Sequence, residues 1–398
     1  MTRSITHSIS TKFFKRTDVL FIASQTENNS DGGLESSTKI FESLADRFDW
    51  AFVTTRNSNF TRRWTAAGAA VGVAWQFADD TKVGRALNYV AFAFAILVMA
   101  LRLRPKVIHF NDTKAFKAAE LVAWFLDAPI LVSLRDTKAP GERYDAPHWK
   151  RLAAKAKRIV VLSSSMADYM VEHLAVPSER LCVINSIVDE NWFSKLSGAD
   201  RAELRIRLGL REDEFAVGII GAVRPKKNQL TLFRYLDAYP ERVQSPVVLH
   251  VLGDFRPEKD SYARQCKELA AGSNLADRIF FHGHQASMQD WYRALDAVAI
   301  ASLNEGLARA MIEAMACGTP VVSFDVSSAH EILVESGAGA VVPQGDYAAL
   351  FDALATLEAD AEVRRSSSKK GRAFALARFS SAEVAQSYER LYSELIDP

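Results

Sequence analysis

Between Ala297 and Phe324 the chain reads AVAIASLNEGLARAMIEAMACGTPVVSF, and few architectures accept such a stretch. The apolar run Ala297–Ala301 reads as a buried strand, and small and polar residues follow it. Helical spacing comes next, with Glu305 near its start and Glu313 eight residues on. Gly318 ends that helix, because glycine takes the left-handed C-terminal conformation without a Cβ penalty. Pro320 cannot continue the helix, and Val321–Phe324 reads as the next buried strand. Two apolar strands joined through a helix belong to a parallel sheet.

The same grammar opens the chain. Asp18–Ser24 reads as a buried strand, Gln25–Leu34 as a polar loop containing Gly32-Gly33, Ser36–Arg47 as a helix through Ile40, Phe41 and Leu44, and Trp50–Thr54 as a second strand. Val107–Phe110, Ile130–Leu134 and Arg158–Ser163 continue the strand series. A polar passage over 194–214 separates it from a second series, Phe215–Gly221, Val247–Gly253 and Ile279–His282. Ser381–Ile396 closes the chain as an amphipathic helix through Val384, Tyr388, Leu391 and Leu395. A length of 398 residues accommodates two such α/β domains.

On a continuous helix, eight residues at about 100° each would leave Glu305 and Glu313 within roughly 80° of one another and some 12 Å apart along the axis. First-turn amides at Gly306, Leu307 and Ala308 would lie between them, at the positive end of the helix dipole. Hydroxyl acceptors at two ends with a phosphate site between fit a nucleotide sugar. An amphipathic core helix with two solvated glutamates fits the spacing as well. The run Ala222-Val223-Arg224-Pro225-Lys226-Lys227-Asn228, a basic loop off a strand end, fits a diphosphate site or a solvated turn.

Charge excludes little: the net charge is +1, with no sign of a nucleic-acid binder, although residues 1–190 carry 25 Lys/Arg against 20 Asp/Glu. Cys182, Cys266 and Cys317 are too widely spaced for a metal motif or disulfide framework, and a reducing cytosol suits them. Met1–Arg16 reads as a loose polar leader, and Val19–Ala23 is too short for a signal-peptide core. The unbroken apolar run Tyr89–Leu101, thirteen residues flanked by Arg85, Arg102, Arg104 and Lys106, is too short to span a bilayer, which takes about 20 residues as helix. It reads either as a buried helix or as a helix in a membrane interface. No Gly-x-Gly-x-x-Gly follows a strand and no Gly-Lys dipeptide occurs, which argues against a dinucleotide fold or P-loop, and no Asp-x-Asp occurs to hold a metal–diphosphate.

Glu305-Gly306, Glu313-Ala314-Met315-Ala316, Gly318 and Pro320-Val321-Val322 together resemble the Glu-x7-Glu signature of family 4 glycosyltransferases, the group 1 retaining enzymes. The family usually reads Glu-Gly-Phe-Gly, where this chain has Leu307 and Ala308. Its Gly-Arg-(x)n-Lys-Gly pattern is met by Lys227, with Ala222 at the arginine position and Arg224 two residues later as a substitute. Its His-x-His becomes His109 and Asn111. Asn185-Ser186-Ile187 stands where the family usually has Pro-Asn-Gly, and Ser327–Glu331 resembles its Gly-Gly-x-x-Glu turn.

The resemblance implies two facing Rossmann-like α/β domains with an interdomain cleft, the GT-B architecture: an acceptor-binding domain over 1–190, a nucleotide-sugar-binding domain over 191–380 and a terminal helix over 381–398. It implies a retaining, hexosyltransferase-class glycosyltransferase that moves a sugar from a nucleoside-diphosphate sugar to an acceptor hydroxyl, in polysaccharide or glycolipid assembly of bacterial type. Glu305, Lys227 and Arg224 would act on the reacting centre, and Glu313, Gly306, Leu307, Ala308 and His284 would hold the donor. Gly32, Gly33, His109, Asn111, Arg135 and Asp136 would face the acceptor and cleft, with His109 open to a hydrogen-bonded interior reading and Arg135–Asp136 to a buried-pair reading. No metal or other cofactor is expected, and the acceptor would be a glycan or lipid-linked group met at the cytoplasmic membrane face. The rival readings are a non-catalytic scaffold in a polysaccharide-assembly complex and a sugar-nucleotide epimerase or phosphorylase of the same architecture.

Overall fold

The structure, a computed structural model, describes residues 16–24, 32–78, 81–112, 115, 116, 118, 127–134, 151, 154–188, 196–242, 246–272, 276–326 and 328–397. Strands β1 (Val19–Ala23), β2 (Trp50–Thr54), β3 (Ala70–Val73), β4 (Val107–Phe110), β5 (Ile130–Ser133), β6 (Arg158–Val161) and β7 (Leu181–Val183) form one sheet, in the order β3-β2-β1-β4-β5-β6-β7. Strands β8 (Phe215–Ile220), β9 (Val247–Leu252), β10 (Ile279–Gly283), β11 (Ala297–Ile300), β12 (Val321–Phe324) and β13 (Gly339–Val342) form a second, in the order β10-β9-β8-β11-β12-β13. The described pairings in both sheets are parallel. Central strands such as VLFIA and VVLHVL are buried along their whole length, as strands covered on both faces by helices must be. The two Rossmann-like domains expected from the sequence are present.

The closing helix, Ser381–Ile396, belongs to the first sheet although it follows the second in sequence. Val384, Tyr388, Leu391, Tyr392 and Leu395 share a buried cluster with Val19, Phe21, Trp50, Val107 and Leu131. The return is anchored where the Val188 amide donates to the Phe379 carbonyl at 2.7 Å.

Three expectations change. The stretch 194–214 holds a helix, Gly198–Arg207, pinned to the second domain by Arg201 and Arg205, which pair with Asp296 at 2.8 and 2.9 Å. The run Tyr89–Leu101 is the middle of a 22-residue helix, Lys82–Leu103, which is long and apolar enough to cross a membrane by length and composition. One side of it is buried, as the core reading expects: Phe92, Ala93, Ile96 and Ala100 pack with Leu20, Ile22 and Val53, while the opposite face is exposed. The helix expected over Ser36–Arg47 runs from Gly32 to Leu44, so Gly32-Gly33 forms its first turn instead of a loop.

Candidate active site

In open parallel sheets, ligands gather at the C-terminal strand edge where the strand order reverses. The first sheet reverses between β1 and β4, the second between β8 and β11. β1 leads to the helix that begins at Gly32-Gly33, and β4 leads to Asn111. β8 leads to Lys227, and β11 leads to Glu305.

At the second reversal, Gly221 and Gly253 end β8 and β9 with φ of +134° and +148°. A Cβ on Gly253 would lie 2.3 Å from the Gly221 carbonyl oxygen, and one on Gly221 would lie 2.9 Å from Lys227 Cε. Only glycine lets the two strand ends approach and lets the Lys227 side chain pass over them. Lys227 ends a short turn, Pro225–Lys227. Asn228 follows in the left-handed conformation and donates to the Ala301 carbonyl at 3.0 Å and to Tyr347 Oη at 2.7 Å, which fixes the turn against the end of β11. Lys227 Nζ then meets Glu305 Oε1 at 2.5 Å, and Ser302 Oγ donates to the same oxygen at 2.7 Å. Glu305 is 8% exposed, so the low dielectric around it strengthens the ion pair.

Glu305 is not on a helix. The helix is Arg309–Cys317, with Ala308 extended at its N-cap, and Glu305 sits in the loop before it, tied down by Ser302 and Lys227. The angular argument over eight helical residues therefore does not apply. Gly306, Leu307 and Ala308 precede the first turn and are not its amide donors; Leu307 and Ala308 are buried.

Glu313, on the helix, accepts from Tyr292 Oη at 2.8 Å and from Arg309 Nε and Nη2 at 3.1 and 2.7 Å. Burial opposes charge on Arg309, yet the Glu313 carboxylate outweighs it and holds the guanidinium above its usual pKa. Burial, together with Glu313, also raises the Tyr292 phenol. Arg309 Nη1 reaches across the cleft and donates to Ser36 Oγ at 2.5 Å, on the helix that Gly32-Gly33 begins. The next residue, Ser37, donates to Asn111 Oδ1 at 2.7 Å. The glycine pair, Asn111 and the Glu305–Glu313 element thus lie in one contiguous region built from both reversals. Arg309, Ser302, Tyr292 and Ser36 are site residues that sequence reasoning missed; the only signal for Arg309 was its position four residues before a glutamate on a helix.

Other expected residues sit elsewhere. Arg224 is exposed at the rim and pairs with Asp254 at 3.9 Å. His109 is not in the cleft: it is 1% exposed, with Nδ1 2.7 Å from Tyr392 Oη and Nε2 2.7 Å from Ser133 Oγ, a core histidine that fastens the closing helix to the first sheet. His284 is exposed. Two residues earlier, His282 Nε2 lies 2.9 Å from His250 Nδ1, and His250 Nε2 lies 3.0 Å from Glu214 Oε1. Burial and the neighbouring His250 lower the His282 pKa to about 4. Arg135 and Asp136 lie outside the described residues. No group of three His, Cys, Asp or Glu side chains placed to hold a metal ion occurs among the described residues.

Two family models match the chain: Glycosyl transferase 4-like domain over residues 32–186 and Glycosyl transferases group 1 over residues 200–374. The chain is 30% identical over 250 residues to a D-inositol 3-phosphate glycosyltransferase of Xylanimonas cellulosilytica, covering 62% of this chain and 58% of that one. It is 31% identical over 201 residues to the lipopolysaccharide core biosynthesis mannosyltransferase LpsB of Rhizobium meliloti, covering 50% and 56%. The chain spans about half the length of the curated relatives it matches. Its fold is that of Anabaena HepE, solved in complex with UDP, at a TM-score of 0.80 and 21% identity over 95% of this chain and 100% of that one. The sucrose-phosphate synthase of Thermosynechococcus elongatus gives a TM-score of 0.79 and 19% identity, covering 95% and 99%. The chain is therefore a GT-B-fold protein related to the group 1 glycosyltransferases, its second half matching that family and its first half the glycosyltransferase 4-like domain.

Proposed function

We propose that the chain is a retaining glycosyltransferase that moves a hexosyl group from a nucleoside-diphosphate sugar to an acceptor hydroxyl in polysaccharide or glycolipid assembly. The observation that carries this reading is the Lys227–Glu305–Ser302 cluster at the second strand reversal, with Glu305 and Ser302 buried, and Arg309, four residues after Glu305, reaching the helix at the first. HepE was solved with UDP and with UDP-glucose, which favours a uridine donor here. The proposed division of labour is acceptor binding over 1–190, donor binding over 191–380, and the helix over 381–398 completing the first domain.

The barrier lies in breaking the glycosyl–phosphate bond, as positive charge grows on the sugar and negative charge on the departing diphosphate. Lys227 carries three donors, and one is spent on Glu305; the others meet diphosphate oxygens and stabilise the leaving group as its charge grows. Arg224, at the rim, supplies a second cation. Glu305 Oε2 accepts from a donor-sugar hydroxyl, and Glu313 accepts from the ribose. The Gly306–Ala308 loop borders the diphosphate, and His284 stands by the base. Gly32, Gly33 and Asn111 border the reacting carbon on the acceptor side, with Arg135 and Asp136 assigned there from the sequence. The leaving phosphate assists deprotonation of the acceptor. The place of action is the cytoplasmic face of a membrane, with the protein bound peripherally.

A thermal-shift screen of nucleoside-diphosphate sugars tests the donor assignment, and NMR of the product from the best donor reads the anomeric configuration. Retention supports the reading. Inversion, or stabilisation by no nucleotide sugar, contradicts it. Tight donor binding without turnover over a broad acceptor panel would favour the scaffold instead.

A further inference from the structure

Helix Lys82–Leu103 is apolar on two sides, and the protein uses only one. Its inner face is in the core of the first domain. On the outer side lie Val83, Leu87, Val90, Phe94 and Leu101, exposed by 69, 43, 56, 65 and 63%. Their spacings of four, three, four and seven residues place all five within a sector of roughly 60°, a single stripe running about 27 Å along the helix. No charged residue interrupts 86–101. Trp75 and Phe77, 82 and 43% exposed, precede the helix. Mean hydropathy reaches 2.0 over eighteen residues of which 22% are buried, a combination that water-facing helices avoid.

The stripe ends at a basic hollow. Leu101 lines a cavity of about 1820 Å³ at the N-terminal edge of β4, β5 and β6, the edge opposite the candidate active site. Among the described residues, eight lysines and arginines line it against three carboxylates, the cations including Arg104, Lys106, Lys155, Lys157 and Arg180. Lys106 is held by Asp18 at 2.9 Å and Arg158 by Glu394, and the cations around the hollow still outnumber the carboxylates among the described residues.

We propose that the stripe and the cavity are one docking face for an anionic membrane, with the stripe lying in the plane of the interface and the cavity seating lipid phosphates. The helix cannot cross the bilayer without pulling Phe92, Ile96 and Ala100 out of the core, so it docks by its outer face alone. The charge identifies the occupant: an anionic lipid surface covers both the stripe and the cations, whereas a second copy packed stripe to stripe would leave the cations uncovered. The inference rests on the peripheral location proposed above and not on the transfer chemistry.

Co-sedimentation with vesicles of phosphatidylglycerol and phosphatidylcholine in equal parts, against phosphatidylcholine alone, tests it on the full chain. The protein should pellet with the anionic vesicles at low salt and be released by high salt. Val90→Gln with Phe94→Gln, on exposed positions, should abolish pelleting. Each of Arg104→Gln, Lys155→Gln and Lys157→Gln should weaken it by roughly fivefold. The thermal shift given by UDP should be the same in every variant, so a wild type that pellets without a UDP shift would contradict the donor reading and leave the docking face standing. Wild-type protein that stays in the supernatant, or equal pelleting with neutral vesicles, overturns the proposal. So does a dimer in sedimentation velocity that Phe94→Gln dissolves, since a second copy would then cover the stripe.

Discussion

Glu305 and Glu313 are eight residues apart, yet their surroundings differ. Glu305 faces a lysine and a serine in a buried loop, and Glu313 is clamped by Arg309 and Tyr292 on a helix. Glu305→Gln keeps the shape and removes the charge that holds Lys227. Turnover should fall by roughly 10²-fold with little change in donor KM, because the interaction tightens as charge separates. Steady-state kinetics check this, and equal kinetics for variant and wild type would refute the role. Arg309 orients the Glu313 carboxylate and ties it to Ser36. Arg309→Ala should raise donor KM by about tenfold and leave kcat within a few fold, with partial rescue by Arg309→Lys. A drop confined to kcat would show that Arg309 acts on the reacting centre instead.

At the scale of elements, strands β8, β9 and β10 are joined by side chains as well as by backbone. Glu214 precedes β8, and His250 and His282 sit on β9 and β10. The Glu214 carboxylate only accepts, so His250 Nε2 donates to it, which leaves His250 Nδ1 to accept from His282 Nε2. The proton that charges His282 would go to Nδ1, and burial opposes that charge. Its folded pKa, about 4, lies below the ordinary 6.5, so the unfolded chain binds the extra proton first. Stability from this group is complete above pH 6.5 and is lost as pH falls toward 4. His282 is half-buried, and with solvent screening the loss is on the order of 1 kcal/mol. Urea melts at pH 7 and pH 4.5 should show a smaller difference for His282→Gln than for wild type; identical differences would rule out the linkage.

For the whole molecule, side-chain hydrogen bonds cross between the domains. Besides Arg309–Ser36, Glu331 accepts from the Ser164 amide and hydroxyl at 3.1 and 3.3 Å, and Arg378 joins Glu331 at 2.6 Å. The donor diphosphate would be neutralised by Lys227 and Arg224, cations that belong to the chain. Transfer activity should therefore survive EDTA. Loss on chelation with recovery on adding Mg²⁺ or Mn²⁺ would contradict the role given to Lys227.

Strand–helix alternation, the Gly318–Pro320 stop and the spacing of Glu305, Glu313 and Lys227 were legible because they follow from local rules: burial pattern, backbone permission and residue type. The sequence also held the apolar run of Tyr89–Leu101, whose pattern fitted core and surface alike. Tertiary structure alone decided what depends on distant partners. Local spacing made Glu305 helical, but Lys227, 78 residues away, and Ser302 hold it in a loop. His109 was open to a cleft or an interior reading, and Tyr392, 283 residues away, takes its Nδ1 into the core. The helix Lys82–Leu103 has one apolar face too many, and only the sheet it packs on shows which face is left outside. In each case the deciding energy comes from a group far along the chain, which no window of neighbouring residues contains.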